Sequence, residues 1–301
     1  MASLPTEETL SLYMTAVPAC WKLYFDGGLV EVADILPQHV SQLTHLVQVP
    51  SRYQELGAGL LSQAHQLEYL LDLQDQNFKT AQIHVQQALH FAEMANDPNL
   101  RVASLIRQGN LFFTLKRPSQ TLQKYQEAVQ YSSASSPLLQ GQAHIGLAEA
   151  YSQFSDQSSS LKEAALRHRG LAREVFPTSP EQDGHYAYTH FNQFTITNFE
   201  GLMHLHLGQP QQAWDAFAEV DKIIPTTLVP QRIELINRQT ATLLALGDLD
   251  ATCEHLALAV PSALKLGSDL RYNEACEIFQ QMQETWPYEQ RVKALADLFH
   301  A

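Results

Sequence analysis

Positive charge, cysteine and long apolar runs are all scarce in this 301-residue sequence. Lysine and arginine number 19 against 32 acidic residues, a formal charge of −13, which disfavours general binding to a phosphate backbone. Cys20, Cys253 and Cys276 are an odd number at wide spacing, unlike a disulfide framework or a zinc motif. Runs such as ATLLALG are too short to span a bilayer, and MASLPTEETLSLY lacks the features of a signal peptide. We therefore expect reduced thiols in a soluble, cytoplasmic protein.

Strand patterns are equally rare. Alternating runs of Val, Ile and Thr hardly occur, whereas Leu, Ala, Gln and Glu recur at helical spacing. Because hydrophobic residues make up 45% of the chain and charged residues only 17%, the helices can bury a substantial core. The sequence therefore predicts an all-α protein.

The stretch GLMHLHLGQPQQAWDAFAEVDKIIP, residues 201–225, has the features of a helix–turn–helix unit. Gly201 lies midway along the first helix, where a second helix would cross closely. Gly208 can adopt the positive φ that ends a helix, and Pro210 suits the first position of the next one. Phe217 is then placed to pack at the crossing.

The same pattern recurs in phase, in copies that begin near residues 102, 141 and 233 and in an earlier, weaker copy that contains Phe78, Ala81 and Ala88. The matching small, leucine and aromatic positions are Ala81, Ala88, Gly109, Tyr125, Ala128, Leu147, Ala148, Ala165, Ala172, Leu243, Gly247, Leu256 and Ala259. This periodicity of roughly 34 residues resembles the tetratricopeptide repeat (TPR) family. The resemblance implies a right-handed superhelical solenoid of antiparallel helix pairs over residues 51–267.

The two ends are predicted to be capping helices, over residues 1–50 and 268–301, because a solenoid must cover its open ends. A polar insertion, DQSSS, separates the two helices of the copy that begins near residue 141. A longer insertion near residues 178–193, TSPEQDGHYAYTHFNQ, is open to two interpretations. It is either a surface loop whose aromatic rings pack on a neighbour, or a lip over a ligand groove.

Signatures of catalysis or metal binding are absent from the sequence. His204 and His206 are two residues apart, so on a helix they point about 200° from each other and cannot share a metal. We find no HExxH pair, phosphate-binding loop, nucleophile elbow or dinucleotide fingerprint. Nothing in the sequence places Glu149 beside Glu200 as a pair of catalytic carboxylates. We therefore predict no catalytic residue, no metal site and no cofactor.

In the TPR family the first helices of the pairs line a concave groove, and the resemblance assigns residues to it. The predicted groove residues, including two from the insertion, are Gln63, Gln66, Asn110, Phe113, Gln142, Glu149, Tyr186, Tyr188, Asn198, His206, Glu234 and Asn237. Asn110 matches the asparagine of the family's carboxylate clamp, but Ile106 and Thr114 replace the basic partners. The many amides suit the backbone of an extended peptide or a polar small molecule.

Four segments are also similar to the C-terminal sensor domain of bacterial helix-turn-helix transcriptional regulators. They are LYMTAVPACWKLY, NLRVASLIRQGNLFFTLKRPSQTLQKYQEAV, GLMHLHLGQPQQAWDAFAEV and WPYEQRVKALADLF. The resemblance implies a sensor for a peptide, a protein or a small polar ligand. No DNA-binding motif precedes residue 11, so we expect a piece of a longer regulator, a stand-alone paralogue or a partner-dependent subunit.

Partners and alternatives follow from the same observations. We expect no direct nucleic-acid or membrane binding. A homodimer through exposed Tyr13 and Trp21 is one hypothesis for the first helix, and capping is the other. An interaction scaffold without sensing is the alternative function, and an enzyme built on a helical-repeat fold is the less favoured one.

Overall fold

The computed structural model of the protein describes residues 7–154 and 158–299, and every regular element within these ranges is helical. The α-helices are α1 (Glu7–Phe25), α2 (Leu29–Gln48), α3 (Gln54–Gln74), α4 (Phe78–Met94), α5 (Pro98–Thr114), α6 (Pro118–Ser132), α7 (Pro137–Ser152), α8 (Ser159–Val175), α9 (Tyr186–Thr189), α10 (Gln193–His206), α11 (Pro210–Ile223), α12 (Val229–Leu246), α13 (Leu249–Leu266), α14 (Asp269–Thr285) and α15 (Gln290–Ala294). Short 3₁₀ helices span Pro180–Gln182 and Leu295–Phe299. The predicted all-α, TPR-like fold is confirmed.

The helices divide into two compact units. Unit 1 holds the described residues up to Tyr24, Gly28–Leu73 and Asn77–Asn192, and unit 2 holds Phe25–Gly27, Gln74–Gln76 and the described residues from Gln193 onward. In unit 1, each helix from α4 to α8 packs against the next. In unit 2, the same is true from α10 to α14. The predicted boundaries at residues 50 and 267 remain a prediction.

Short polar residues and prolines set the helix starts, as the sequence suggests. The Asp97 carboxylate accepts hydrogen bonds from the backbone N–H groups of Asn99 (2.8 Å) and Leu100 (3.2 Å) at the start of α5. Proline occupies the first position of α5, α6, α7 and α11, where its missing N–H has no intrahelical partner to lose. Gly247 and Gly267 end α12 and α13 at φ of 78° and 73°. Local interactions therefore determine where the helices begin and end.

Glycines also allow the close helix crossings that hold each pair together. A methyl group added at Gly201 would lie 2.4 Å from Cε1 of Phe217, so the predicted contact between these residues is confirmed. In unit 1, the Tyr125 ring lies between Gly109 of α5 and Gly146 of α7. Because a side chain at either glycine would collide with a buried ring, the crossing distance depends on their lack of Cβ.

The structure of the termini and insertions corrects several predictions made from the sequence. Tyr13 and Trp21 are buried, 4% and 0% exposed, so the expectation that they are exposed is wrong. The C-terminal cap is a short α15 followed by a 3₁₀ helix, instead of one longer helix. Residues 156 and 157 of the DQSSS insertion lie outside the described residues, while Ser158 caps α8. None of the described helices is both long and apolar enough to cross a membrane.

Candidate functional site

The first helices of successive pairs contact one another, so they share one face within each unit. In unit 1, α5 packs on α7 as well as on α6. In unit 2, α12 contacts both α10 and α14. Apart from Tyr186 and Tyr188, all of the predicted groove residues lie on such first helices: α3, α5 and α7 in unit 1, and α10 and α12 in unit 2. These two faces are the candidate binding surfaces.

Most of the predicted polar residues in unit 1 are less accessible than a free groove requires. Gln66 is 0% exposed, and its Nε2 donates to Ser104 Oγ at 3.4 Å, while its Oε1 has no hydrogen-bond partner. Gln142 is 6% exposed. Asn110 is half-buried and its Oδ1 accepts a hydrogen bond from the Tyr125 hydroxyl at 2.5 Å. Gln63 and Phe113 are half-buried, so they offer partly accessible surface.

Glu149 is 1% exposed, and it accepts a hydrogen bond from Gln153 Nε2 at 2.9 Å. Glu149 lies in the last turn of α7, and Gln153, one helical turn later, is the C-cap of that helix. A buried carboxylate engaged in this way is part of the protein's own hydrogen-bond network. Its position on the first-helix face agrees with the predicted placement, and its role in binding stays a prediction.

A buried cation, Arg107, lies on the same α5 face one helical turn from Ser104 and Asn110. It is 8% exposed, its Nη2 donates to the backbone oxygen of Tyr188 at 3.0 Å, and its guanidinium lies 5.7 Å from the centre of the Trp21 ring. Burial lowers the pKa of Arg107, which several tyrosine hydroxyls partly offset. Among the described residues, no carboxylate forms a salt bridge with it.

Four tyrosine hydroxyls lie close enough to this cation to affect its pKa. The groups that act on the pKa of Arg107 are the hydroxyls of Tyr24, Tyr69, Tyr125 and Tyr188. Tyr69 is fully buried on α3, three residues after Gln66, and its hydroxyl has no hydrogen-bond partner. Two short rows therefore face each other, Gln66 and Tyr69 on α3, and Ser104 and Arg107 on α5. Arg107 is not predicted from the sequence, because an isolated arginine in a helix gives no sign of burial.

The insertion contributes its aromatic residues mainly to the interior of unit 1. Tyr188 is 3% exposed and its hydroxyl lies 3.0 Å from His185 Nδ1. Burial raises the pKa of Tyr188 well above its usual value, with smaller contributions from nearby acidic groups. Phe191 is fully buried, edge-on to Phe176. Tyr186 is half-exposed and stacked on His190, which has an unusual φ of 45°. Among the described aromatic and imidazole side chains of the insertion, Tyr186, His185 and His190 are half-buried and keep the accessibility that a lip would need.

An ion-pair network occupies the first-helix face of unit 2. Glu234 pairs with Arg238 one turn along α12 and with Arg271 of α14, the latter at 2.6 Å. Arg271 also binds both carboxylate oxygens of Glu274, at 2.7 and 3.0 Å. Burial acts to raise the pKa of Glu234, but the two guanidinium groups outweigh it and lower the pKa below its usual range. Glu234 is thus a network member with little free acceptor capacity.

The remaining predicted residues of unit 2 are two amides and a histidine. Asn237 is 3% exposed, and its Nδ2 donates to the Arg271 backbone oxygen at 2.9 Å and to Glu274 at 3.0 Å. Asn198 and His206 on α10 are half-buried. The Oδ1 atoms of Asn198 and Asn237 are both buried without a hydrogen-bond partner. Amide oxygens with unused acceptor capacity therefore lie on the first helices of both units.

Only one group of potential metal ligands is found among the described residues: His65, Glu68 and His84. Burial raises the pKa of Glu68, but the hydrogen bonds and charges of the two histidines bring it down to about 2. Burial lowers the pKa of His84, yet Glu68 and Asp72 outweigh it and the net shift is upward. This group is not predicted from the sequence, because it joins an i, i+3 pair on α3 to a residue of α4. The HxxE spacing at residues 65–68 is the signal that was available.

Comparison with known proteins supports the fold. No protein-family model matches the chain, and no curated protein matches it. Among solved structures, the chain is similar to the crystal structure of a Rap protein complexed with competence and sporulation factor, with a TM-score of 0.55 and 14% sequence identity. The match covers 97% of this chain and 89% of that chain. At this level of identity, the likeness shows a shared helical-repeat fold.

Proposed function

We propose that this protein is a non-catalytic binding domain that takes a peptide, a protein segment or a small polar ligand on its first-helix face. We further propose that it is the sensor part of a bacterial transcriptional or signalling regulator. The solved structure of similar fold is a Rap protein in complex with a named factor, which supports binding as the role of such a fold. The regulator assignment rests on the sequence resemblance described above.

The observation that carries the proposal is the buried Arg107. A guanidinium stays charged in proteins, and a buried charge without an ionic partner is costly. In unit 1 tyrosine hydroxyls act on its pKa and one carbonyl oxygen accepts its hydrogen bond, while the facing helix α3 carries an unpartnered hydroxyl on Tyr69 and an unpartnered amide oxygen on Gln66. An anionic group such as a peptide's terminal carboxylate would supply the missing charge.

The net charge of the protein further restricts the class of ligand. The formal charge of −13 repels small anions over long distances, so an anionic group arrives more readily on a molecule that is neutral or basic overall. A short peptide with a free C-terminus meets both requirements. Its backbone amides also match the donor and acceptor atoms of the half-buried Gln63.

The test uses two pools of random pentapeptides, one with free C-terminal carboxylates and one amidated. Each pool is mixed with the protein, the complex is isolated by size exclusion, and retained peptides are counted by mass spectrometry. We expect selective retention of free-carboxylate peptides, lost in Arg107→Met. The matched control is Arg101→Met on the same helix, because Arg101 lies at the surface over the Tyr131 ring.

Circular dichroism confirms that both variants are folded before they are compared. Equal retention of the two pools, or unchanged retention by Arg107→Met, contradicts the assignment of Arg107. If neither pool is retained but a partner protein co-purifies from the host, the interaction-scaffold alternative replaces the sensor.

A further inference from the structure

Three nitrogen and oxygen atoms converge between α3 and α4 in unit 1. Glu68 Oε2 lies 2.9 Å from His65 Nδ1 and 2.8 Å from His84 Nδ1. The two Nδ1 atoms are 3.1 Å apart. Each residue thus directs one atom to a common centre, and the three atoms form a nearly equilateral triangle.

Protons cannot satisfy all three contacts of this triangle. If both histidines carry a proton on Nδ1, both donate to Glu68, but two N–H groups then face each other across 3.1 Å. If only one Nδ1 is protonated, that proton serves one contact and the other nitrogen faces the carboxylate lone pairs. A cation at the centre accepts electron pairs from all three atoms at once.

We propose that His65, Glu68 and His84 bind a late first-row divalent cation of the Zn²⁺ class. Bonds of about 2.0–2.1 Å in tetrahedral geometry place ligand atoms about 3.3 Å apart, so the triangle needs to expand by only a few tenths of an ångström. Two imidazoles and one carboxylate favour Zn²⁺, Cu²⁺ or Ni²⁺ over Mg²⁺ or Ca²⁺. Three protein ligands leave one position for water.

The surroundings suit a metal site. His84 Nε2, the nitrogen not directed at the centre, lies 3.7 Å from Asp72 Oδ2, and such outer carboxylates orient metal-binding imidazoles. The His65 ring stacks on Phe91, with ring centres 5.5 Å apart and planes within 10°. The side chains of His84 and Glu68 are 22% and 11% exposed, so a cation can enter from solvent. The two rings are held in place while one edge stays open.

A second histidine pair in the same unit provides an internal control. His144 of α7 and His168 of α8 also have Nδ1 atoms 3.0 Å apart, with ring centres separated by 5.2 Å. One shared proton satisfies this pair. The residue three positions after His144 is Leu147, so the counterpart of Glu68 is apolar. The described residues of unit 1 therefore include two pairs of neighbouring imidazoles, and a carboxylate lies between the rings of the α3–α4 pair but not of the α7–α8 pair.

The experiment titrates the full chain, stripped with EDTA and desalted, with Zn²⁺ against a chromophoric chelator. We expect one tightly bound Zn²⁺, a higher melting temperature with Zn²⁺, and visible absorption of four-coordinate Co²⁺ on substitution. Glu68→Gln and His84→Gln should each weaken binding more than about tenfold, and Asp72→Asn by about tenfold. His144→Gln and His168→Gln should leave binding unchanged.

Two results overturn the proposal. One is the absence of a stoichiometric Zn²⁺ in the wild-type chain. The other is binding that survives in Glu68→Gln and His84→Gln, which places any bound metal on other histidines. Circular dichroism of each variant without metal separates loss of a ligand from loss of folding, and Asp72→Asn gives a second measurement because Asp72 is outside the triangle.

Discussion

The α3–α4 and α7–α8 helix pairs of unit 1 each join two histidines, and their electrostatics are opposite. The ring geometry is nearly the same: centres are 5.3 and 5.2 Å apart, and planes are inclined by 31° and 32°. Glu68 and Asp72 raise the pKa of His84 despite its burial. Without a carboxylate, burial and the neighbouring charges of His144 and Arg167 lower the pKa of His168 to about 4. Two carboxylates therefore decide whether a paired imidazole gains or loses its proton on folding.

The first helices of these two pairs also differ in the space around one glycine of each helix. A methyl group at Gly146 of α7 would lie 1.9 Å from Cε1 of Tyr125, whereas one at Gly59 of α3 would lie 3.4 Å from Leu100 Cδ1. At Gly146 the crossing of α7 with α6 is thus packed to its limit, whereas at Gly59 the contact of α3 with α5 has room for one more carbon.

The largest effect should come from testing that packing difference. We expect Gly146→Ala to lower the free energy of unfolding by about 2–3 kcal/mol, because the fully buried Tyr125 ring must move. Gly59→Ala should be neutral or raise it by up to about 1 kcal/mol, because alanine favours helix. Urea denaturation followed by circular dichroism measures both.

Gly170→Ala on α8 is the matched control, since a Cβ there meets no atom within 4 Å. It should behave like Gly59→Ala. A loss at Gly170 equal to that at Gly146 would show that any methyl group added to a helix glycine is destabilising in this region, and the contact with Tyr125 would not be the reason.

The next effect concerns pH, and the two histidine pairs should respond in opposite directions. His168 has a folded-state pKa of about 4, below its ordinary 6.5, so the unfolded chain binds the proton more strongly. Stability from the neutral His168 is present above about pH 6.5 and is lost as pH falls toward 4, by about 1–2 kcal/mol at pH 5. The pKa of His84 is raised, so its contribution is fully present below 6.5 and is lost as pH rises through the folded value.

These contributions are measured as free energies of unfolding at pH 5 and pH 8, with metal chelated. The proteins compared are wild type, His168→Gln and His84→Gln. The difference between wild type and His168→Gln should favour wild type more at pH 8. For His84→Gln it should favour wild type more at pH 5. The same sign for both variants would contradict the assigned pKa directions.

The sequence predicted the architecture well because helix starts and ends depend on local interactions. Gly208, Pro210 and the Gly201–Phe217 contact follow from backbone conformation and helical spacing, and the structure has all three. Burial of Tyr13 and Trp21 was not predicted, because it depends on which surfaces other helices cover. Periodicity places a residue on a helix face but does not say how deeply that face is covered.

The candidate sites were harder to predict for the same physical reason. The repeat frame placed Gln66 and Asn237 on first helices, yet it gave no sign that both are almost fully buried. Arg107 and the His65, Glu68, His84 group depend on contacts between residues of different helices. Contacts between different helices produce no regular spacing within one helix that a sequence could show. The exception here is the i, i+3 step between His65 and Glu68.

The smallest effect is also the most direct test of the carboxylate's role. Glu68→Leu makes α3 resemble α7, where Leu147 follows His144 by three residues. We expect the pKa of His84 to fall from above its ordinary value to below it, because burial then acts against a weaker opposing charge. The imidazole resonances followed by NMR over a pH series, with metal removed, give this value directly. The pKa of His168 serves as the internal reference and should not change. If His84 keeps a raised pKa in Glu68→Leu, Asp72 alone holds its proton, and the difference between the two histidine pairs arises from the outer carboxylate instead of the one inside the triangle.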